Sequence, residues 1–369
     1  EAQLRLARCY DTGQGVKADQ LEAFQLYLDA AKQGNAEAQR YLGKCYAEGR
    51  GVAQSHDEAA TWSQSAAHQG DRDAQFDIGR CYSSGKGVSK SPAEAVAWWL
   101  KAAEQGHDVA QYNLGLCYAN GKGVDKNHAE AVRWYQHAAE NGNGPAQFNL
   151  GKCYDEGVGV PVDRAQAVRW FGQAAQQGNP MAQFRYGECL MLGTGTPKNL
   201  ELAVHWLRFA VRNNITQAHC YLGECYLDGL GVEKNEVEAV RSFRLAAAKG
   251  NALAQCLLGV CHLHGRGLHK NQEEAVRLFR QAVDQGCAKA QFYLGTCYLH
   301  GSGVTKDHRE AVRRYRIASD QGVADAQFQL GLCYATGTGV GKDTRNASRF
   351  IQIAADQDHE QAKAYLKKH

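Results

Sequence analysis

Small, apolar and glycine positions return along this chain at a fixed spacing. Cysteine recurs every 36 residues, at Cys9, Cys45, Cys81, Cys117, Cys153, Cys189, Cys225, Cys261, Cys297 and Cys333, and a Gly-x-Gly follows each, from Gly13/Gly15 to Gly337/Gly339. Around each cysteine runs Ala-Gln-x-x-Leu-Gly-x-Cys-Tyr, as in Ala146 to Tyr154. Its Ala, Leu, Cys and Tyr fall three and four apart, which is one apolar stripe of a helix. A second stripe carries Ala131, Val132, Trp134, Tyr135, Ala138 and Ala139; large aromatics facing alanines suit helices that interdigitate closely. The pattern predicts ten hairpins of helix A and helix B at about 1–36, 37–72, 73–108, 109–144, 145–180, 181–216, 217–252, 253–288, 289–324 and 325–360, with a terminal helix at 361–369. One hairpin cannot bury both faces, so the repeats should stack into a single all-α solenoid over 1–369.

The polar and glycine positions punctuate these helices. Ten residues after each cysteine stands an N-cap residue: Asp19, Ser55, Ser91, Asn127, Asp163, Asn199, Asn235, Asn271, Asp307 and Asp343. In eight repeats Glu or Gln follows three later, as in Asn271 with Glu274, a capping box. Helix B ends at Gly34, Gly70, Gly106, Gly142, Gly178, Gly250, Gly286 and Gly322, with Asn214 and Asp358 in the other two repeats; all three residue types tolerate the left-handed region. Glycine two before the cysteine occurs in nine repeats. Each such interior glycine costs about 1 kcal/mol against alanine, so a neighbouring helix is expected to approach closely there. The exception, Ala7, is explained on this reading by a missing preceding neighbour.

The sequence of Ala146 to Val160, Ala-Gln-Phe-Asn-Leu-Gly-Lys-Cys-Tyr-Asp-Glu-Gly-Val-Gly-Val, with Ala-Val-Arg-Trp-Phe and Ala-Ala-Gln-Gln-Gly behind it, resembles the Sel1-like repeat, a relative of the tetratricopeptide repeat. The resemblance spans the whole chain. It implies a right-handed superhelix with helix A lining the concave side. It also implies an adaptor role in complex assembly, such as membrane-protein quality control or bacterial signalling, without naming a partner.

Charge narrows the partners. With 42 basic against 39 acidic residues the net charge is +3, which leaves no basic stripe for nucleic acid and no polybasic membrane signal. No apolar run reaches the roughly 20 residues of a membrane span. The chain starts at Glu1, inside a repeat, and reads as a fragment or a processed product. It ends on Lys367, Lys368 and His369, where a polar last helix suits a cap.

Candidate chemistry is sparse. Equivalent helices of neighbouring repeats lie roughly 8–10 Å apart, beyond the about 7 Å that a disulfide tolerates between Cα atoms, so adjacent ladder cysteines should not pair. They are read as small buried apolar residues. Cys220 and Cys256 stand five before their ladder partners, and Cys287, in a turn, is the expected exposed thiol. Thirteen cysteines without a pairing pattern favour a reducing intracellular compartment over a periplasmic, lumenal or secreted one. His262, His264, His269, His300 and His308 cluster in repeats eight and nine. His262 fills a tyrosine position, and the rest read as surface residues; no metal or cofactor is expected. Ser83-Ser84-Gly85-Lys86, three His-x-Glu triplets and Gly115 to Lys122 are fragments of enzyme motifs without their companions. Asn214-Ile215-Thr216 and Asn346-Ala347-Ser348 match the glycosylation triplet at about the chance frequency. Glu130/Arg133, Glu238/Arg241, Glu274/Arg277 and Glu310/Arg313 mark a solvated face of helix B.

A partner is expected on the variable face of helix A, four before, one before and three after each cysteine. Repeats one to five place polar trios there, such as Asp77/Arg80/Ser84 and Asn113/Leu116/Asn120. Repeats six to ten turn apolar, with Leu192, Tyr221, Leu257, Val260, Tyr293 and Leu332, flanked by Met191, Leu227, Leu263 and Leu299. Together with Tyr41 the first six form the candidate binding surface for a protein or peptide; the alternative is that part of the set packs between helices. The expected function is a non-catalytic scaffold. A self-assembling structural array, associating through its ends, is the runner-up, and a hydrolase or thiol enzyme the least favoured reading.

Overall fold

The computed structural model describes residues 2–368 and, among them, twenty-one helices and no strand. The helices alternate as helix A and helix B through ten hairpins, from Ala2–Thr12 and Gln20–Lys32 to Ala324–Thr336 and Thr344–Asp356, and a short helix, Glu360–Leu366, follows. His369 of the expected terminal helix lies outside the described residues. Contacts divide the chain into two compact units. The N-terminal unit runs to Ala182 and includes Thr194–Thr196; the C-terminal unit comprises Gln183–Gly193 and the chain from Pro197 onward.

Within each hairpin the turn forms as the sequence dictates. All ten expected residues cap helix B, their side chains accepting a backbone N–H, as Asn271 does from Glu274 at 2.9 Å. The glutamates of the expected capping boxes at 130, 238, 274 and 310 turn their carboxylates to arginines three residues on. The ion pair therefore wins the competition for those side chains. Asn214 and Asp358 take the left-handed conformation expected of them, with φ of 62° and 64°.

The helix-A glycine needs a correction. An added Cβ on Gly115 would meet the Tyr135 ring at 2.4 Å, and one on Gly223 would meet Phe243 at 2.4 Å. The close neighbour is thus helix B of the same hairpin, twenty residues on, so a missing preceding repeat cannot explain Ala7. Ala7 is buried in one cluster with Tyr27, its own hairpin's aromatic.

Hairpins are joined by three contacts that recur in both units. From repeat two onward, the second glycine of the Gly-x-Gly lies against the first turn of the preceding helix B: a Cβ on Gly87 would stand 1.9 Å from the His56 carbonyl oxygen, and one on Gly231 would stand 2.3 Å from that of Leu200. A buried glutamine bridges repeats. Gln147 donates to the Ala139 carbonyl of the preceding repeat at 3.1 Å and accepts from Gln177 of its own at 2.9 Å; likewise Gln327 donates to the Ser319 carbonyl at 3.4 Å and accepts from Gln357 at 2.7 Å. Finally, the residue five before the ladder cysteine meets the N-cap of the next helix A, 31 residues on. Arg40 pairs with Asp71 at 3.2 Å, and the ring centroids of Phe76 and His107 lie 4.4 Å apart. In the C-terminal unit the Cys220 thiol donates to Asn251 at 3.4 Å, and Phe328 packs on His359 with centroids 4.9 Å apart.

Candidate functional site

Because alanine, leucine, glycine and cysteine of helix A are consumed by packing, its variable residues form a separate surface. In the N-terminal unit the variable positions of repeats two to four converge on a cavity of about 830 Å³. Lys44, Asp77, Arg80, Asn113 and Asn120 supply polar groups to its wall, beside the apolar Leu116. Asp77 sits between Lys44 at 3.9 Å and Arg80 at 3.6 Å. Burial pushes its carboxyl above the ordinary carboxylate value, and the two cations and Arg40 oppose that shift. Ser84 donates to the Arg80 carbonyl at 2.8 Å, and burial raises the Cys81 thiol above its ordinary value. What remains is a set of fixed donors and acceptors suited to holding a polar chain by hydrogen bonds and ion pairs.

The seven residues singled out for binding meet different fates. Tyr41 is half-buried, stacked on Tyr27 at 5.2 Å, with the Arg40 guanidinium 4.6 Å from its ring. Leu192 is 52% exposed. Tyr221 is half-buried and donates to the Glu188 carboxylate at 2.6 Å. Tyr293 is also half-buried, stacked on Phe279 with centroids 5.6 Å apart. Val260 and Leu332 are half-buried against core clusters of the C-terminal unit. Leu257 is only 7% exposed, in the cluster around Phe243, so it leaves the exposed set; flanking Leu227 and Leu263 are buried likewise. Much of the apolar shift in repeats six to ten therefore feeds contacts between helices. Sequence reasoning could not separate the two uses, because a residue at the edge of a helical stripe serves either.

Three features escaped the sequence reading. The glutamine of Ala-Gln signals itself by returning inside an apolar stripe, and its bridging role shows only in the tertiary structure. The N-caps of helix A, including Asn35, Asp71, Asn143 and Asn251, are a second such feature. The register that sets Cys256 against Cys287 is the third. All thirteen cysteines are free thiols, and Cys287 is half-buried, as are Cys9, Cys81 and Cys153. Burial pushes ladder thiols such as Cys45 and Cys297 up to about 11. His262 is half-buried in its aromatic slot, and burial lowers its pKa. Among the described residues no three His, Cys, Asp or Glu side chains are grouped to hold a metal, and no helix is long and apolar enough to cross a membrane.

Stacked helical hairpins with uniform packing positions and a variable helix-A face define an α-solenoid of the interaction-repeat class. The chain belongs to the Sel1 repeat family, whose pattern matches at residues 1–35, 36–71, 72–107, 108–143, 144–179, 180–214, 216–251, 252–287, 288–323 and 324–359. It is similar to c5321, a protective antigen of uropathogenic Escherichia coli with this repeat fold, at 36% identity and a TM-score of 0.79, over 99% of this chain and 78% of that one. A Sel1 repeat protein of Oxalobacter formigenes is 32% identical with a TM-score of 0.58, over 84% and 89% of the respective chains. No curated protein is significantly similar. Proteins of this repeat family generally mediate protein–protein interaction.

Proposed function

We propose that the chain is a non-catalytic scaffold that binds a peptide or partner protein on its helix-A surface and thereby assembles a complex. The observation that supports this reading is the N-terminal cavity. Variable positions from three successive repeats open onto it, beside the repeated Gly43, Cys81 and Cys117. Specificity in such a site comes from the placement of a few polar groups on a rigid wall. Lys44, Arg80 and Asn113 are the groups that would read an acidic or polar segment. In the N-terminal unit Tyr41 of repeat two is a further contact; in the C-terminal unit, separately, the contacts fall to Leu192, Tyr221, Val260, Tyr293 and Leu332, and Leu257 would act from beneath, by supporting its neighbours.

Co-purification with crosslinking from the native source tests the proposal. A Lys44→Ala/Arg80→Ala/Asn113→Ala variant should fold, by circular dichroism, and lose the proteins that the parent chain retains. A Val237→Ser change on exposed helix B should keep them. Retention by the triple variant would remove the cavity from the proposal. A light-scattering mass above that of one chain, unchanged by the triple variant, would favour self-assembly instead.

A further inference from the structure

Cys256 and Cys287 pack into one core cluster at the junction of repeats eight and nine. Their separation of 31 residues matches the register in which Arg40 meets Asp71 and Cys220 meets Asn251. Cys256 lies in helix A of repeat eight (Ala252–His264) and is fully buried. Cys287 is half-buried against the same core cluster and is the less buried residue of the two. It occupies the N-cap of helix A in repeat nine (Ala288–His300), where it makes no capping bond as a thiol. Other repeats place Asn35, Asn143 or Asn251 there to satisfy the first amides of the helix.

We propose that Cys287 and Cys256 form a peroxide-reactive dithiol site, with Cys287 the attacking thiolate and Cys256 the resolving thiol. In the first step the Cys287 thiolate attacks the distal oxygen of a hydroperoxide. An S–O bond forms, the O–O bond breaks, and the leaving alkoxide or hydroxide takes a proton from water. In the second step the Cys256 sulfur displaces hydroxide from the Cys287 sulfenic acid, and with the thiol proton this leaves as water. The peroxide is the two-electron oxidant, and the product is a disulfide joining two neighbouring repeats.

The electrostatics agree with this division of labour. Donation from the Cys256 thiol, the amides of Ala290 and Lys289 and the Lys289 ammonium together lower Cys287 to about 6, against desolvation. Cys256 is raised well above the ordinary thiol value by the same hydrogen bond and by burial. Lys289 lowers Cys256 slightly while Glu224 raises it, and the Tyr293 hydroxyl also faces this thiol. The first thiolate therefore resides on the less buried residue of the pair, which is what a peroxide-reactive pair requires.

The test is a tryptic map of the full chain after brief treatment with hydrogen peroxide. The parent chain should give a crosslink between the peptide 281–289, which holds Cys287, and the peptide 250–266, with fragmentation placing the bond at Cys256 rather than Cys261. Cys256→Ala should instead accumulate a Cys287 sulfenic acid trapped by a 1,3-dione. Cys287→Asn installs the cap used by other repeats, so it should fold, and it should give neither product. Alkylation of Cys287 by iodoacetamide should titrate with a midpoint near 6 in the parent and move upward in Cys256→Ala. A parent chain that forms no crosslink, a crosslink joining Cys287 of two chains, or a Cys287 that alkylates with the pH profile of an ordinary thiol would each overturn the proposal.

Discussion

The second glycine of each turn gives a sharp test of how the hairpins are joined. Gly87 has a φ of +72°, and a Cβ there would lie 1.9 Å from the His56 carbonyl oxygen, 2.5 Å from its carbon and 3.0 Å from the Ala60 methyl. Gly15 has nearly the same backbone, with a φ of +77°, and nothing within 4 Å of the added atom. Alanine in the left-handed region costs about 1–2 kcal/mol at either site. At Gly15 that should be the whole effect. At Gly87 the His56 turn must also retreat by roughly 1.5 Å to restore van der Waals contact. Overpacking of this kind costs typically 1–3 kcal/mol more, so Gly87→Ala should be destabilised by about 2–5 kcal/mol in all. A repeat array need not unfold in a single step, so the readout is hydrogen exchange on the full chain. Exchange should accelerate at the start of helix B in repeat two (His56–His68) and in the turn holding Gly87. In Gly15→Ala the change should stay within repeat one. Equal protection losses for the two variants, confined to the substituted turn in each, would refute the account of the joint as a backbone-to-backbone contact.

Three further outcomes follow from the same geometry. Gln147→Leu removes a 4% exposed side chain that bonds both Ala139 and Gln177; leaving those partners unpaired should cost about 1–3 kcal/mol in urea denaturation. Asn271→Ala should cost about 1 kcal/mol by removing the helix-B cap of repeat eight, while Asn271→Asp should not. His219 stands where every other repeat has glutamine, and burial, with a smaller contribution from Lys249, lowers its pKa. The unfolded chain therefore binds that proton more readily. The neutral ring's contribution is complete above the unfolded value of about 6.5 and is lost as pH falls through it toward the folded value. His219→Gln should therefore flatten the fall in thermal midpoint between about pH 7 and pH 5, and an unchanged slope would assign that fall to other groups.

The sequence alone determined the number of hairpins, all ten helix-B caps and the two places where Asn214 and Asp358 substitute for glycine. These are local choices, made within one or two turns of backbone and repeated until chance is excluded. Tertiary structure decided what each residue at a stripe edge is used for. Leu257 and Leu192 read alike in sequence, yet one is buried beneath Tyr226 and Leu278 and the other is exposed. It also decided that the helix-A glycine answers to its own hairpin, that glutamine ties one repeat to the next, and that Cys256 meets Cys287. The first depends on how two helices of one hairpin pack, and the other two on the offset between successive hairpins. That offset is fixed by how surfaces interlock across 30 residues or so of intervening chain, and no local pattern encodes it.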